Sequence, residues 1–295
     1  MTIIDSHAHF EPQLLDLPGV LARMNNHGID ATALIAAVTL DPIYKKPGYL
    51  MAIQRLMMQT PVLWTAAKIV DHGFHQQSGA WNPWYRRLIS QKASYRISQS
   101  PDNASVFAAI DKHPDRFLGW VFVNPMQKNW RDEIDRFADH PRAVGIKIHP
   151  FWHRYSIDQA HDVAQQAKVR NLPLMIHSGF DDLDKVKAFI KVFRDLTMVF
   201  AHAAFPFYHR LWPTLNTREN VFVDASSHHV DARILKRCVA TLGPEKVMFG
   251  TDDPYGEPDY GLRMQRWIDE LKLSASDANA MLGQNFLKMT GANSE

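Results

Sequence analysis

His7 and His9 close the first apolar run of the chain, Ile3-Ile4-Asp5-Ser6-His7-Ala8-His9. On a β-strand, residues two apart point to the same side, so both imidazoles can meet one metal ion if other segments supply further ligands. Three later apolar runs also finish in ligand-type side chains: Leu174-Met175-Ile176-His177, Met198-Val199-Phe200-Ala201-His202 and Val247-Met248-Phe249-Gly250-Thr251-Asp252. Strands that each end in such a group describe a metal site at the mouth of a barrel. His7, His9, His177 and Asp252 are the expected ligands, with Asp252 also placed as the base.

Three imidazoles and a carboxylate suit one borderline divalent ion. Zn²⁺ is expected first, and Mn²⁺, Fe²⁺ or Co²⁺ could use the same set. Such an ion lowers the pKa of bound water from 15.7 to about 7, which gives Asp252 a proton to accept. His202 is expected as an acid/base or substrate-orienting group. Asp253 reads as a turn or supporting carboxylate.

Lys147 and His149, in Gly145-Ile146-Lys147-Ile148-His149-Pro150, share a strand face and are expected at the substrate. Lys147 has three readings: a carboxylated bridge to a second metal, an ammonium holding an anion, or a rim charge. The unmodified forms, and hence one metal, are favoured. Asp5, Asn124, Asp224, Ser226, His228 and His229 are weaker candidates for supporting contacts, and His72, His75, His153, His161 and His209 read as ordinary helix, loop or cap residues.

From residue 115 onward, β-rich runs alternate with amphipathic segments, as in βα units with a parallel sheet. Strands are predicted over Thr2–Ala8, Ala31–Val38, Arg116–Val123, Ala143–His149, Leu172–His177, Thr197–His202, Asn220–Asp224 and Lys246–Phe249. A final helix is predicted over Ser274–Met289. An open doubly wound sheet would usually carry a Gly-rich phosphate turn after its first strand, and this sequence has none. The expectation is one domain over residues 1–295, an α/β chain folded as a (β/α)8 TIM barrel with a helical insertion after strand 2.

Residues 40–103 are too long for a βα loop and rich in aromatic side chains. Helical spacing is present over Leu50–Met58 and Val62–Val70. A cap over the pocket is the favoured reading, with a surface for a homodimer; the plainer reading is an excursion packed on the barrel's side.

The chain of 295 residues has 33 basic and 31 acidic residues for a net charge of +2, with no charged block to suggest nucleic acid. No run approaches the roughly 18 apolar residues of a membrane span. Cys238 is the only cysteine, which favours a cytoplasmic setting, and it reads as a core-facing residue.

The ordered set of motifs, with Ile176-His177-Ser178-Gly179, Ala201-His202-Ala203 and Gly250-Thr251-Asp252-Asp253-Pro254 added to those above, resembles the amidohydrolase superfamily. It is most similar to the branch that includes aminocarboxymuconate-semialdehyde decarboxylase and related aromatic-acid decarboxylases and hydrolases. That resemblance implies a (β/α)8 barrel, a metal held by His7, His9, His177 and Asp252, His202 as the strand 6 active-site histidine, and an unmodified Lys147. Two reactions fit: metal-dependent hydrolysis of a small amide, lactone or ester, favoured here, and non-oxidative decarboxylation of a small unsaturated or aromatic acid. The latter needs a cation for the carboxylate, for which Lys147, Arg154, Arg86 and Arg87 are candidates. The expected partner is a small planar or carboxylated molecule.

Overall fold

The computed structural model of the protein describes residues 1–39, 48–60, 63–64, 66, 97–181 and 183–292. Eight parallel strands follow in sequence order: β1 (Ile4–Phe10), β2 (Ala31–Ala36), β3 (Phe117–Phe122), β4 (Ala143–Ile148), β5 (Leu174–Ile176), β6 (Met198–Phe200), β7 (Val221–Asp224) and β8 (Val247–Met248). Each overlaps its predicted run, and β1 continues past the predicted end at Ala8 to Phe10. Their near-continuous apolar sequences match burial on both faces, and every residue of β1, β3, β5, β6, β7 and β8 is buried.

The seam between β8 and β1 closes through backbone bonds beyond the end of the short β8. Ser6 N donates to Phe249 O at 3.0 Å, Asp252 N to His7 O at 2.7 Å, and His9 N to Asp253 O at 2.6 Å. Side chains reinforce it: Thr251 Oγ1 donates to Asp5 Oδ2 at 2.6 Å, while Thr251 N and His7 N donate to Asp5 Oδ1. These connections make the open edge a nearly closed (β/α)8 barrel.

The predicted last helix is present as three joined segments, Ala275–Asn279, a π-helical stretch Ala280–Gln284, and Asn285–Thr290. Widening a helix to π frees a carbonyl from its usual i→i+4 partner. Met281 O, in that stretch, accepts Phe249 N at 2.8 Å. This helix therefore covers the β8–β1 seam.

Two glycines are required by close approach. A Cβ at Gly145 would lie 2.3 Å from the Trp120 ring, so its absence lets that buried indole fill the barrel. At Gly250 a Cβ would meet Ser226 Cβ at 3.0 Å and His7 Cβ at 3.3 Å, crowding two residues of the site.

Thr39 and Ile97 form an antiparallel bridge, and a helix missed at the sequence level begins at Asn103 and runs to Lys112. Asp102 caps it, and the buried Asn103 side chain donates to Phe122 O and accepts Phe122 N, both at 2.9 Å. The apolar pattern of this helix is short and its anchor is a side-chain amide, which periodicity does not reveal. Helix Gly48–Gln59 corresponds to the predicted Leu50–Met58. The predicted Val62–Val70 helix lies largely outside the described residues, as do His72, His75, Arg86 and Arg87.

Candidate metal centre

β1 carries both His7 and His9, and one β-bulge between Asp5 and Ala8 adjusts its register against β2. The side chains are held by different acceptors. His7 Nδ1 lies 3.0 Å from Asp224 Oδ2, and His9 Nδ1 lies 2.9 Å from the carbonyl of Ala36 at the end of β2. Burial holds both imidazoles well below their usual pKa, as it does His149, His177 and His202. A neutral ring has one N–H, and a carbonyl can only accept. His9 therefore carries its proton on Nδ1, and Asp224 as a carboxylate assigns the same tautomer to His7.

Both Nε2 lone pairs then face Asp252 Oδ1, each at 3.6 Å. Two nitrogen lone pairs converging on a carboxylate oxygen at that separation repel one another without a cation among them. The candidate ligand atoms of His7, His9 and Asp252 all lie within 4.8 Å of one another. His7 Nε2 has no hydrogen-bond partner among the described residues. Donor types, tautomers and the orphaned nitrogen fit a divalent ion. Burial pushes the Asp252 carboxyl up, a tendency that a cation among these atoms would oppose.

Asp252 reaches this position through a left-handed backbone, φ 62°, which aspartate tolerates better than most residues. Its N–H donates to His7 O, and its own carbonyl accepts Tyr255 N and Gly256 N. The neighbouring Asp253 side chain instead pairs with Arg23 at 3.1 Å, consistent with a supporting role.

His177, just past β5, stands outside the three-residue group. Its Nδ1 is 3.1 Å from His202 Nε2, and its Nε2 has no partner among the described residues. His149 stacks on it at 4.0 Å between ring centroids and Phe151 at 5.3 Å. It remains available as a further nitrogen donor. His202 lies beyond β6 in a left-handed turn with Ala203 and Ala204, φ 56°, 54° and 63°. Its Nδ1 is 2.8 Å from Ser226 Oγ, so both ring nitrogens are engaged. Acid/base work by His202 would require it to release one of them.

A second group, His7, His202 and Asp224, is equally compact. Its atoms are already bound to protein donors: Asp224 Oδ2 faces His7, and Oδ1 accepts His202 N at 3.0 Å, Ser226 N at 3.2 Å and Ser226 Oγ. It is a hydrogen-bonded support, and the first group is the better metal site. Asp224 and Ser226, weaker candidates by sequence, are thus at the centre of this support.

Lys147 is fully buried and its Nζ has no hydrogen-bond partner among the described residues. Burial lowers its pKa to about 8, against the opposing charges of Asp224 and Asp252. His149 spends Nδ1 on the N–H of Trp152, capping the short helix Pro150–His153; only its other nitrogen is left for a substrate. Asn124 forms a turn by accepting Met126 N, and Arg154 lies over the Phe151 ring. His229 stacks on Phe205 at 3.9 Å.

Described residues between β2 and β3 meet this end of the barrel. Arg55 donates to His228 O at 2.6 Å and pairs with Asp231 at 3.0 Å. Trp64 packs against Phe180 and Phe207, with Arg210 over its ring.

Among known proteins, the amidohydrolase family model matches residues 4–289. No curated protein matches the chain. Solved structures of similar fold include 5-carboxyvanillate decarboxylase from Sphingomonas paucimobilis, 15% identical, TM-score 0.60, with 99% of each chain covered. A probable 2-pyrone-4,6-dicarboxylic acid hydrolase from Acinetobacter baumannii, with citric acid bound, is 12% identical with TM-score 0.61, over 99% of this chain and 100% of the other. An amidohydrolase from Burkholderia multivorans with bound zinc is 14% identical with TM-score 0.60, again over 99% and 100%. At these identities the neighbours establish the fold, while the family match spans nearly the whole sequence. The chain is an enzyme and belongs to the amidohydrolase family.

Proposed function

We propose that this enzyme hydrolyses a small amide, lactone or ester with one divalent ion, zinc first, held by His7, His9 and Asp252 and joined by His177. The observation that carries this reading is the convergence of two Nε2 lone pairs on Asp252 Oδ1. When bound, the ion would polarise a carbonyl and make water nucleophilic near neutral pH. Asp252 accepts the proton of the attacking water on its second carboxylate oxygen and returns it to the leaving group. Lys147 holds an anionic part of the substrate, and His149 orients it.

The stacked rings of His149, His177 and Phe151, with Phe205 and His229 beside them, suit a planar substrate. We read the insertion as a cap over that pocket, because Arg55 and Trp64 tie it to the loops beyond β5, β6 and β7. A homodimer through this cap is the accompanying proposal. The buried thiol of Cys238 fits a cytoplasmic setting, and no helix among the described residues is long and apolar enough to cross a membrane.

Decarboxylation of a small unsaturated or aromatic acid is the second reading, favoured by one observation: the buried Lys147 ammonium lacks a hydrogen-bonded anion among the described residues. A panel of lactones, amides, esters and aromatic acids, assayed for product and CO₂ with metal-loaded enzyme, separates the two. Hydrolysis without CO₂, lost in Asp252→Asn, supports the first reading. CO₂ release from an acid replaces it with the second.

A further inference from the structure

His7 bonds to Asp224 directly, and His177 is linked through His202 to Ser226 and so to Asp224. Asp224 Oδ1 already receives the backbone N–H groups of His202 and Ser226, so it is an acceptor toward the Ser226 hydroxyl beside it. A serine hydroxyl has one proton to give. With that proton on Asp224, Ser226 Oγ must accept from His202 Nδ1, 2.8 Å away. Neutral His202 then has a lone pair on Nε2, which receives the Nδ1 proton of His177 at 3.1 Å. The consequence is a bare Nε2 on His177, the atom without a partner among the described residues.

We propose that Ser226 is a positioning residue: together with Asp224 it sets the proton arrangement that makes His177 an Nε2 metal donor. Direction passes from Asp224 through Ser226 and His202 to His177, while the other oxygen of Asp224 sets His7 in the same tautomer. One carboxylate thereby prepares two imidazoles belonging to different strands. Without the serine oxygen, His202 Nδ1 faces Asp224 Oδ1 only at 3.8 Å. His202 can then move its proton to Nε2, which obliges His177 to accept on Nδ1 and protonate Nε2, blocking it as a ligand.

This inference rests on the metal reading for its consequence, but its proton arrangement can be tested in metal-free protein. Long-range ¹H–¹⁵N spectra of ¹⁵N-histidine-labelled, chelator-treated enzyme should show His202 and His177 as Nδ1–H tautomers. In Ser226→Ala a His177 Nε2–H form should appear, and Ser226→Thr, which keeps the hydroxyl, should restore the native pattern. Zinc affinity, read by chelator competition, should fall by about 10- to 100-fold in the alanine variant and recover in the threonine variant. An Nε2–H tautomer at His202 in the unsubstituted protein overturns the proposal even if no variant folds. So does unchanged zinc affinity in Ser226→Ala. If the unsubstituted protein binds no zinc, manganese, iron or cobalt, the metal reading fails, while the tautomer spectra still decide the hydrogen-bond direction.

Discussion

His9 Nε2 stands 3.6 Å from Asp252 Oδ1 while its Nδ1 proton is committed to Ala36 O. The pair joins the first strand to the exit of the last. It is a relation between two acceptors, which a shared cation turns from repulsive to favourable. The chemistry of the site follows from that geometry more than from the presence of histidines.

The protein as purified should contain about one equivalent of a divalent transition metal. His9→Ala should lose most of it with the far-ultraviolet circular dichroism unchanged. Elemental analysis decides the matter: full retention in that variant removes His9 from the centre, and two equivalents would reinstate a carboxylated Lys147.

Lys147→Met tests a buried cation without a hydrogen-bonded partner among the described residues. Burying an ammonium is costly and a methionine of similar length is not. Thermal unfolding should occur at the same temperature or a few degrees higher, while kcat/KM falls by at least about tenfold through a raised KM, the mark of weaker substrate binding. A lower melting temperature would instead make Lys147 a structural charge.

Thr251→Val removes the hydroxyl that Asp5 accepts at the β8–β1 seam. Burial already raises the Asp5 carboxyl to about 8, so losing a donor leaves it still less satisfied. The loss should be about 1–3 kcal/mol in urea unfolding. Wild-type stability would show that the backbone bonds alone hold the seam.

The buried His153 gives a stability prediction on the acid side. Burial lowers its pKa from 6.5 to about 4, and Nε2 bonds to Ser98 O. Between those values the unfolded chain binds the extra proton, so stability rises with pH. Its contribution is complete above 6.5 and lost as pH falls toward 4, up to about 3 kcal/mol. His153→Gln should flatten the stability–pH curve in that window. An unaltered slope would place the acid sensitivity elsewhere.

Eight buried strands were legible as apolar runs, because the period and length of such runs are local properties. His7, His9 and Asp252 were legible as well, since a polar group closing an apolar run marks the mouth of a barrel. Hydrogen bonds between distant segments left no comparable mark. The Ala36 carbonyl that orients His9 belongs to no side chain, and the Asp224–His7 pair spans 217 positions. Ser226 stands in the sequence only among the weaker candidates for supporting contacts, and nothing in the sequence marks Asn103 as an anchor. Residue types and their order declared which strands and donors the chain would use; the direction of each imidazole's proton, the separation of His177 from the His7–His9–Asp252 cluster and the closure of the seam depended on contacts that arise only when the first and last strands meet.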